Sequence, residues 1–340
     1  MKKYSFVIGR FQHFHRGHEF LLREAKRHAE NLVVLVGSAN VSPSIRNPYP
    51  YFAREEAILA AELASKVVPL FDFPYDDRLW VSQVREIMEA HALLDQCCIV
   101  GSNKDESTYY LNIFGDIEVI DIPQLPGGTN ATKIREALFN DWPNIIEQHE
   151  CSIENVQVVL KTQRRHIDAL RDEYHAVQRY RKSWARSPFP PVFVTVDNLV
   201  VHRDKFLAVI RKGHPSKGLL ALPGGFVNEG ERIKSAAFRE LREETSIEIT
   251  NPVTGAKIPF QEEWFRDCKV FDNPGRSTRG RTITHGFSWL IPDKYTISVQ
   301  AADDAADVVW LPLRWIQDPW NATKFMEDHF FLVQSLSTGL

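Results

Sequence analysis

Short apolar runs alternate with amphipathic stretches through residues 1–140. Runs at 4–8, 32–36, 67–71, 97–100 and 117–122 read as strands. Several are continuous, as in Leu-Val-Val-Leu-Val at 32–36, which suits strands covered on both faces of a parallel sheet. The segments between them, 17–29, 53–65, 79–93 and 106–113, with a last one near 131–140, carry helical spacing. This alternation predicts a doubly wound α/β domain with a parallel sheet. In that architecture ligands sit beyond the carboxyl ends of the strands.

The pattern changes at 154–186. Val156, Leu160, Ile167, Leu170, Tyr174, Val177 and Trp184 follow three- and four-residue steps, with the polar Gln163 and Arg181 filling the two gaps. One long amphipathic helix is expected, ending before Ser187–Pro188. Between 161 and 186 it carries eight Lys/Arg against three acids, which reads as a solvated face rather than a nucleic-acid arm. Residues 192–340 are richer in β signals, with strands at 200–202, 206–210 and near 264–271 and 282–291. A Pro-Gly-Gly turn at 223–225 precedes one strong helix at about 232–245. The chain thus divides into an α/β domain (1–150), a connecting helix (151–187) and an α+β domain (188–340).

Composition narrows the class. The 340 residues are 44% apolar and 25% charged, which excludes a disordered, collagen-like or coiled-coil chain. A net charge of −3 argues against a surface built as a whole to grip nucleic acid. Cys97, Cys98, Cys151 and Cys268 show no CxxC spacing and read as thiols in a reducing compartment. The N-terminal apolar run ends at Arg10, too early for a signal peptide, and no stretch approaches the ~18 residues of a membrane span. A cytoplasmic protein is expected; self-association stays open.

The first chemical site lies in the opening strand–loop–helix, Gly9-Arg10-Phe11-Gln12-His13-Phe14-His15-Arg16-Gly17-His18. His15 and His18 fall at a helix start, where backbone N–H groups and the positive dipole end favour anions. Arg10 adds a cation and Gly17 lets the backbone approach a ligand, so the group suits a polyphosphate. The stretch resembles the GRFQPFHxGH signature of nucleotidylyltransferases, above all the nicotinamide mononucleotide (NMN) adenylyltransferases, with His13 where Pro is usual. A second element of that family, ISxTxIR, is matched by Thr132, Ile134 and Arg135, with Asn130 in place of Ser. Arg46-Asn47-Pro48 and Leu79-Trp80-Val81 resemble further segments of the nicotinamide branch. The resemblance implies a Rossmann-like fold and adenylyl transfer from ATP to NMN, giving NAD. It implies Arg10, His15, His18 and Arg135 as the catalytic cations, and Gly9, Phe11, Gly17, Trp80 and Thr132 in nucleotide binding. Mg²⁺ would arrive with ATP rather than in a protein cage.

The second site begins at Gly225 and runs through Glu231 to Arg239-Glu240-Leu241-Arg242-Glu243-Glu244. Glu240, Glu243 and Glu244 share one helix face and repel unless a cation intervenes. Oxygen-only donors point to Mg²⁺ or Mn²⁺. The pattern resembles the Nudix box, GX5EX7REUXEEXGU, with Ser246 where Gly is usual. The resemblance implies Glu240 and Glu244 as metal ligands, Glu243 as a further ligand or water-positioning group, and Glu231 and Arg239 as support. Arg276, Arg279 and Arg281 lie in a segment similar to a loop of ADP-ribose pyrophosphatases; with Gly225 they form the expected ADP-ribose contacts. Glu262, Glu263, Asp303 and Asp304 are the candidate general bases.

As a whole the chain resembles the bifunctional proteins that join an NMN adenylyltransferase to a Nudix ADP-ribose pyrophosphatase. Its expected small-molecule partners are ATP, NMN, NAD and ADP-ribose, with no nucleic acid and no membrane. The alternative is a transferase for another phosphorylated acceptor, joined to a Nudix half that senses nucleotides or cleaves another nucleoside diphosphate derivative.

Overall fold

A computed structural model describes residues 1–102, 111, 113–125, 131–140 and 149–338. They divide into two units, Met1–Asp172 and Glu173–Leu340.

The first unit runs β1 (Lys2–Gly9), α1 (Arg16–Ala25), β2 (Ala29–Val36), α2 (Tyr51–Leu59), β3 (Lys66–Pro69), α3 (Asp77–Glu89), β4 (Cys97–Gly101), β5 (Glu118–Asp121) and α4 (Ala131–Asn140). All five strands are parallel, in the order β3-β2-β1-β4-β5. The continuous apolar run in β2 has its reason here. Leu32, Val34 and Val36 enter a cluster with Leu22, Ala57 and Val156 on one face. Val33 and Leu35 enter another with Val84 and Met88 on the opposite face. The strand order reverses between β1 and β4, which opens a crevice at their carboxyl ends. The helix expected at 106–113 lies mostly outside the described residues.

The single long helix expected over 154–186 is instead three: α5 (Glu154–Thr162), α6 (Arg164–Ala169) and α7 (Arg171–Ser183). The first break falls on the polar residue within the apolar stripe. Gln163 is 3% exposed, and its amide donates to the carbonyl of Ala53 in α2. At Gln163 and Leu170 the backbone turns tighten, with His166 N donating to Gln163 O and Leu170 N to Ile167 O. The division between the two units falls inside α7.

The second unit continues β6 (Val192–His202), β7 (Lys205–Arg211), β8 (Leu220–Ala221), β9 (Gly224–Phe226), α8 (Ile233–Thr245), β10 (Glu248–Thr250), β11 (Lys257–Ile258), β12 (Phe265–Phe271), β13 (Arg281–Leu290), β14 (Thr296–Ser298), β15 (Ala305–Pro312) and α9 (His329–Leu336). Its main sheet follows β12-β13-β6-β7-β15, with β8 on β7 and β9 on β6. Only the β6–β13 pair is parallel among these. Strands β11, β10 and β14 form a separate antiparallel sheet. Ala236, Ala237 and Leu241 seat α8 on Val196, Val200, Leu207 and Trp289. A buried amide fastens the same contact: Asn198 donates to Ala237 O at 3.0 Å and accepts from Trp289 Nε1 at 3.0 Å. No helix among the described residues is long and apolar enough to cross a membrane.

Helix α8 ends on Ser246 in the left-handed region, φ 41° and ψ 37°. That conformation places the Ser Cβ against its own carbonyl, a strain glycine escapes. S246G is therefore expected to raise unfolding stability by roughly 0.5–1 kcal/mol. Denaturant melts of the two proteins check this, and an unchanged or lower midpoint contradicts it.

Candidate active sites

The first site forms where β1 runs into α1. His15 caps the helix: its Nδ1 accepts from Gly17 N at 3.1 Å, so a neutral His15 carries its proton on Nε2. Its ring stacks on His18 with centroids 3.8 Å apart. Phe11, at φ 51°, and Phe14 flank His18 at 4.6 and 5.7 Å. The Phe11 ring also lies over Gly9, where a Cβ would come within 3.0 Å of it. His15, Gly17 and His18 line a pocket with Ser102 and residues 122–125, at the ends of β4 and β5.

Three arginines converge on this end of the sheet. Arg135, in the first turns of α4, donates to Gln12 O at 3.2 Å and to Thr132 Oγ1 at 3.1 Å. Burial lowers its pKa to about 10, and the charges of Arg10 and Arg46 push it the same way. The remaining motif positions, Thr129 and Asn130, lie outside the described residues. Trp80 packs against Phe114 at 6.1 Å, beside the Phe6 cluster, and is not among the residues lining the His15–His18 pocket.

Sequence reasoning passed over the groups that hold this loop. Arg54, 2% exposed, donates to the carbonyls of Arg10 (2.8 Å), Gly37 (2.6 Å) and Ser38 (2.9 Å), tying together the ends of β1 and β2. Gln12 exchanges two hydrogen bonds with the backbone of Tyr49. Gln12 lies within the motif but was given no role there, and Arg54 is one of several charged residues in α2 with nothing local to mark it.

The second site is a pocket of about 220 Å³ floored by α8 and β9. Arg239 is its central tie. It holds Glu231 with Nε and Nη2, each at 2.9 Å, and reaches Glu240 at 2.7 Å and Glu243 at 2.8 Å. It also donates to Phe226 O in β9 at 2.9 Å. Glu244 accepts from Gly224 N at 2.9 Å. The two glycines have steric reasons. A Cβ on Gly225 would lie 2.5 Å from Glu240 Oε1, and one on Gly224 would lie 2.0 Å from Val196 O.

Burial pushes Glu244 up to about 8, and the charge of Glu240 adds to the shift. Glu240 is also raised, chiefly by burial, and Glu243 and Asp303 push it further. Carboxylates gathered in a half-closed pocket, their negative charge disfavoured, are a donor set that fits a hard divalent cation.

The candidate bases separate by position. Asp303 and Asp304 line this pocket; Glu262 and Glu263 do not. Glu262 pairs instead with Lys234 at 3.0 Å. The three arginines separate as well. Arg279 lines the pocket with its guanidinium 5.2 Å from the centre of the Phe226 ring. Arg276 also lines it, but is buried and bound to Asp328 through two hydrogen bonds of 2.9 and 3.0 Å. Arg281 donates to Asp272 O at the start of β13 and is not among the lining residues. Asp197, Arg211 and His329, unmarked in the sequence, also line the pocket.

Comparison with known proteins finds a match for each half of the chain. A cytidylyltransferase-like family model matches residues 6–197, and a NUDIX domain model matches residues 192–330. The chain is 32% identical to a nicotinamide/nicotinic acid mononucleotide adenylyltransferase of Acinetobacter baylyi, over 40% of this chain and 75% of that protein. It is 33% identical to an ADP-ribose pyrophosphatase of Methanocaldococcus jannaschii, over 40% of this chain and 68% of that protein. One structure spans both units: a bifunctional NMN adenylyltransferase/ADP ribose pyrophosphatase of Francisella tularensis, complexed with AMP and manganese. It has 32% identity, a TM-score of 0.86, and coverage of 99% of this chain and 98% of that one. With two matched domain models in this order and a full-length structural counterpart, the chain belongs to the family of bifunctional NMN adenylyltransferases/ADP-ribose pyrophosphatases.

Proposed function

We propose that the first unit transfers the adenylyl group of ATP to NMN, forming NAD and releasing pyrophosphate, and that the second hydrolyses ADP-ribose to AMP and ribose 5-phosphate. The observation that carries both readings is the opposite sign of the unbalanced charge. Arg10, Arg46 and Arg135 crowd one site, whereas Glu240, Glu243 and Glu244 crowd the other. The first is built for polyphosphate and the second for a cation that carries a diphosphate.

In the transferase the attacking group is the phosphate of NMN, already an anion, so no base is called for. Arg10 and Arg135 offset charge as it builds on the triphosphate, and His15 and His18 donate to its oxygens from the helix start. Gly9 and Gly17 let the backbone close on the nucleotide. Phe11 holds His18 in place, and Thr132 orients Arg135. Trp80, partly exposed on α3, is assigned to the pyridine ring.

In the hydrolase Glu240 and Glu244 hold the divalent cation, Mg²⁺ in our reading with Mn²⁺ as a substitute. When bound, the ion polarises the diphosphate and acidifies the attacking water. Glu243 orients that water, and Asp303 takes its proton. Arg239 and Glu231 keep the carboxylates in register. Arg279 reaches the diphosphate, Gly225 leaves room for it, and Arg276 and Arg281 hold the loop that carries Arg279. The four free cysteines fit a reducing, cytoplasmic setting.

Two variants separate the halves. E244Q should lower ADP-ribose hydrolysis by about a thousandfold or more while NAD formation stays at the wild-type rate, and H18A should do the reverse. Chromatography of products from ATP plus NMN, and from ADP-ribose alone, reads both reactions. If either variant loses both activities while folded, the assignment of independent sites is wrong. D303N should cut kcat on ADP-ribose by about a hundredfold or more. Wild-type turnover would move the base elsewhere, with Asp304 next.

A further inference from the structure

The basic run of the connecting segment reads in the sequence as a solvated face, but Arg181 is used otherwise. It donates twice to the carbonyl of Thr278, from Nε at 3.0 Å and from Nη2 at 2.6 Å. Thr278 sits beside Arg279, and its own N–H and hydroxyl are bonded to Glu327. One residue before Arg181, the ring of Tyr180 meets Phe193, Phe193 meets Phe226, and Phe226 carries the Arg279 guanidinium. Helix α7 therefore supports Arg279 by two routes, one polar and one aromatic.

The other end of α7 supports a second arginine. Glu173, 5% exposed, accepts from Ser216 N at 2.7 Å. Ser216 belongs to the turn that follows β7, and it adopts φ 62°. Its neighbour Pro215 accepts from Arg211 Nε at 3.0 Å. Arg211 lines the hydrolase pocket together with Arg279. Burial lowers the pKa of Arg211, and the charge of Arg279 lowers it further. No carboxylate among the described residues is within ion-pair distance of either, and Arg279 Nε is buried without a partner. Two cations held close, with a buried donor to spare, are arranged for a ligand with two adjacent anionic groups.

We propose that Glu173 and Arg181 are positioning residues of the hydrolase: through the 212–218 turn and the 276–281 loop, α7 sets Arg211 and Arg279 to receive the diphosphate of the substrate. This rests on the reading that ADP-ribose occupies this pocket. Neither Glu173 nor Arg181 touches the substrate, so the effect falls on binding rather than on the bond-breaking step.

The test uses the full chain. Calorimetry in EDTA gives Kd for ADP-ribose without turnover, and assays with Mg²⁺ give kcat and KM. R181A and E173A should raise Kd and KM about tenfold, with kcat within about twofold of wild type. R181K keeps one donor for Thr278 O and E173Q keeps one acceptor for Ser216 N, so both should recover most of the loss. NAD formation by the same preparations should not change. Unchanged Kd and KM in folded variants, even with a lowered unfolding temperature, would overturn the proposal, as would a fall in kcat at constant KM. R279A run alongside locates the fault. If R279A weakens binding and R181A does not, only the bracing role fails. If R279A leaves Kd unchanged, the diphosphate assignment fails and the proposal with it.

Discussion

A phosphate-handling site needs several charges of one sign in one place, and those charges repel. The fold keeps them there only by bonding each to something rigid. Arg239 meets this constraint in the second unit. One guanidinium binds Glu231, Glu240, Glu243 and the carbonyl of Phe226, so the acidic face of α8 is fixed to the adjoining strand β9. Arg54 does the corresponding work in the first unit with three carbonyls instead of carboxylates. The difference follows from the ligand. A site for a cation keeps its carboxylates and can spare one cation as their anchor. A site for a polyanion avoids carboxylates, so its anchor is neutral backbone. The pocket shapes, the glycines under Glu240 and Glu244 and the cap at His15 all presuppose these ties.

What could be read in advance was whatever chemistry is local in the chain. His15 and His18 are three residues apart at a helix start, and Glu240, Glu243 and Glu244 lie on one helical face, so their spacing and local context mark them as candidates. The five-stranded sheet was legible for a similar reason: a strand buried on both faces must be apolar throughout, as β2 is. Asp303 was legible only as one of four candidate bases. Glu173 and Arg181 were not legible in the roles proposed for them: each bonds a partner many residues away, and a lone charged residue in a basic stretch carries no mark of that partner. The broken connecting helix stands between these cases. Gln163 was visible as a polar intruder in the stripe, but the Ala53 carbonyl that draws it inward belongs to another helix.

Of the three departures from the family patterns, two fall on described residues, Ser246 and His13. Ser246 accepts the left-handed conformation that glycine usually supplies, and its N–H still donates to Arg242 O at the helix end. His13 stands where proline is usual and is buried, its Nδ1 within 3.1 Å of the Tyr49 hydroxyl. Burial lowers its pKa to about 4, aided by the charge of Arg164, so the ring stays neutral beside a crowd of cations.

The strand order of the first unit also bears on how the site comes into being. Tyr4 of β1 lies opposite Asn31 on one side and Cys97 on the other. The first pairing closes a short βαβ loop, while the second waits for a far larger chain closure and its greater entropy loss. The pocket beside His15 and His18 is closed by residues that follow β4 and β5, so it is complete only once the β1–β4 pairing is made. A partly folded chain with β1 and β2 joined has the histidine loop but no opposite wall. Nucleotide binding therefore adds its free energy almost wholly to the completed sheet, which makes substrate supply a stabiliser of the finished enzyme rather than a guide along its folding route.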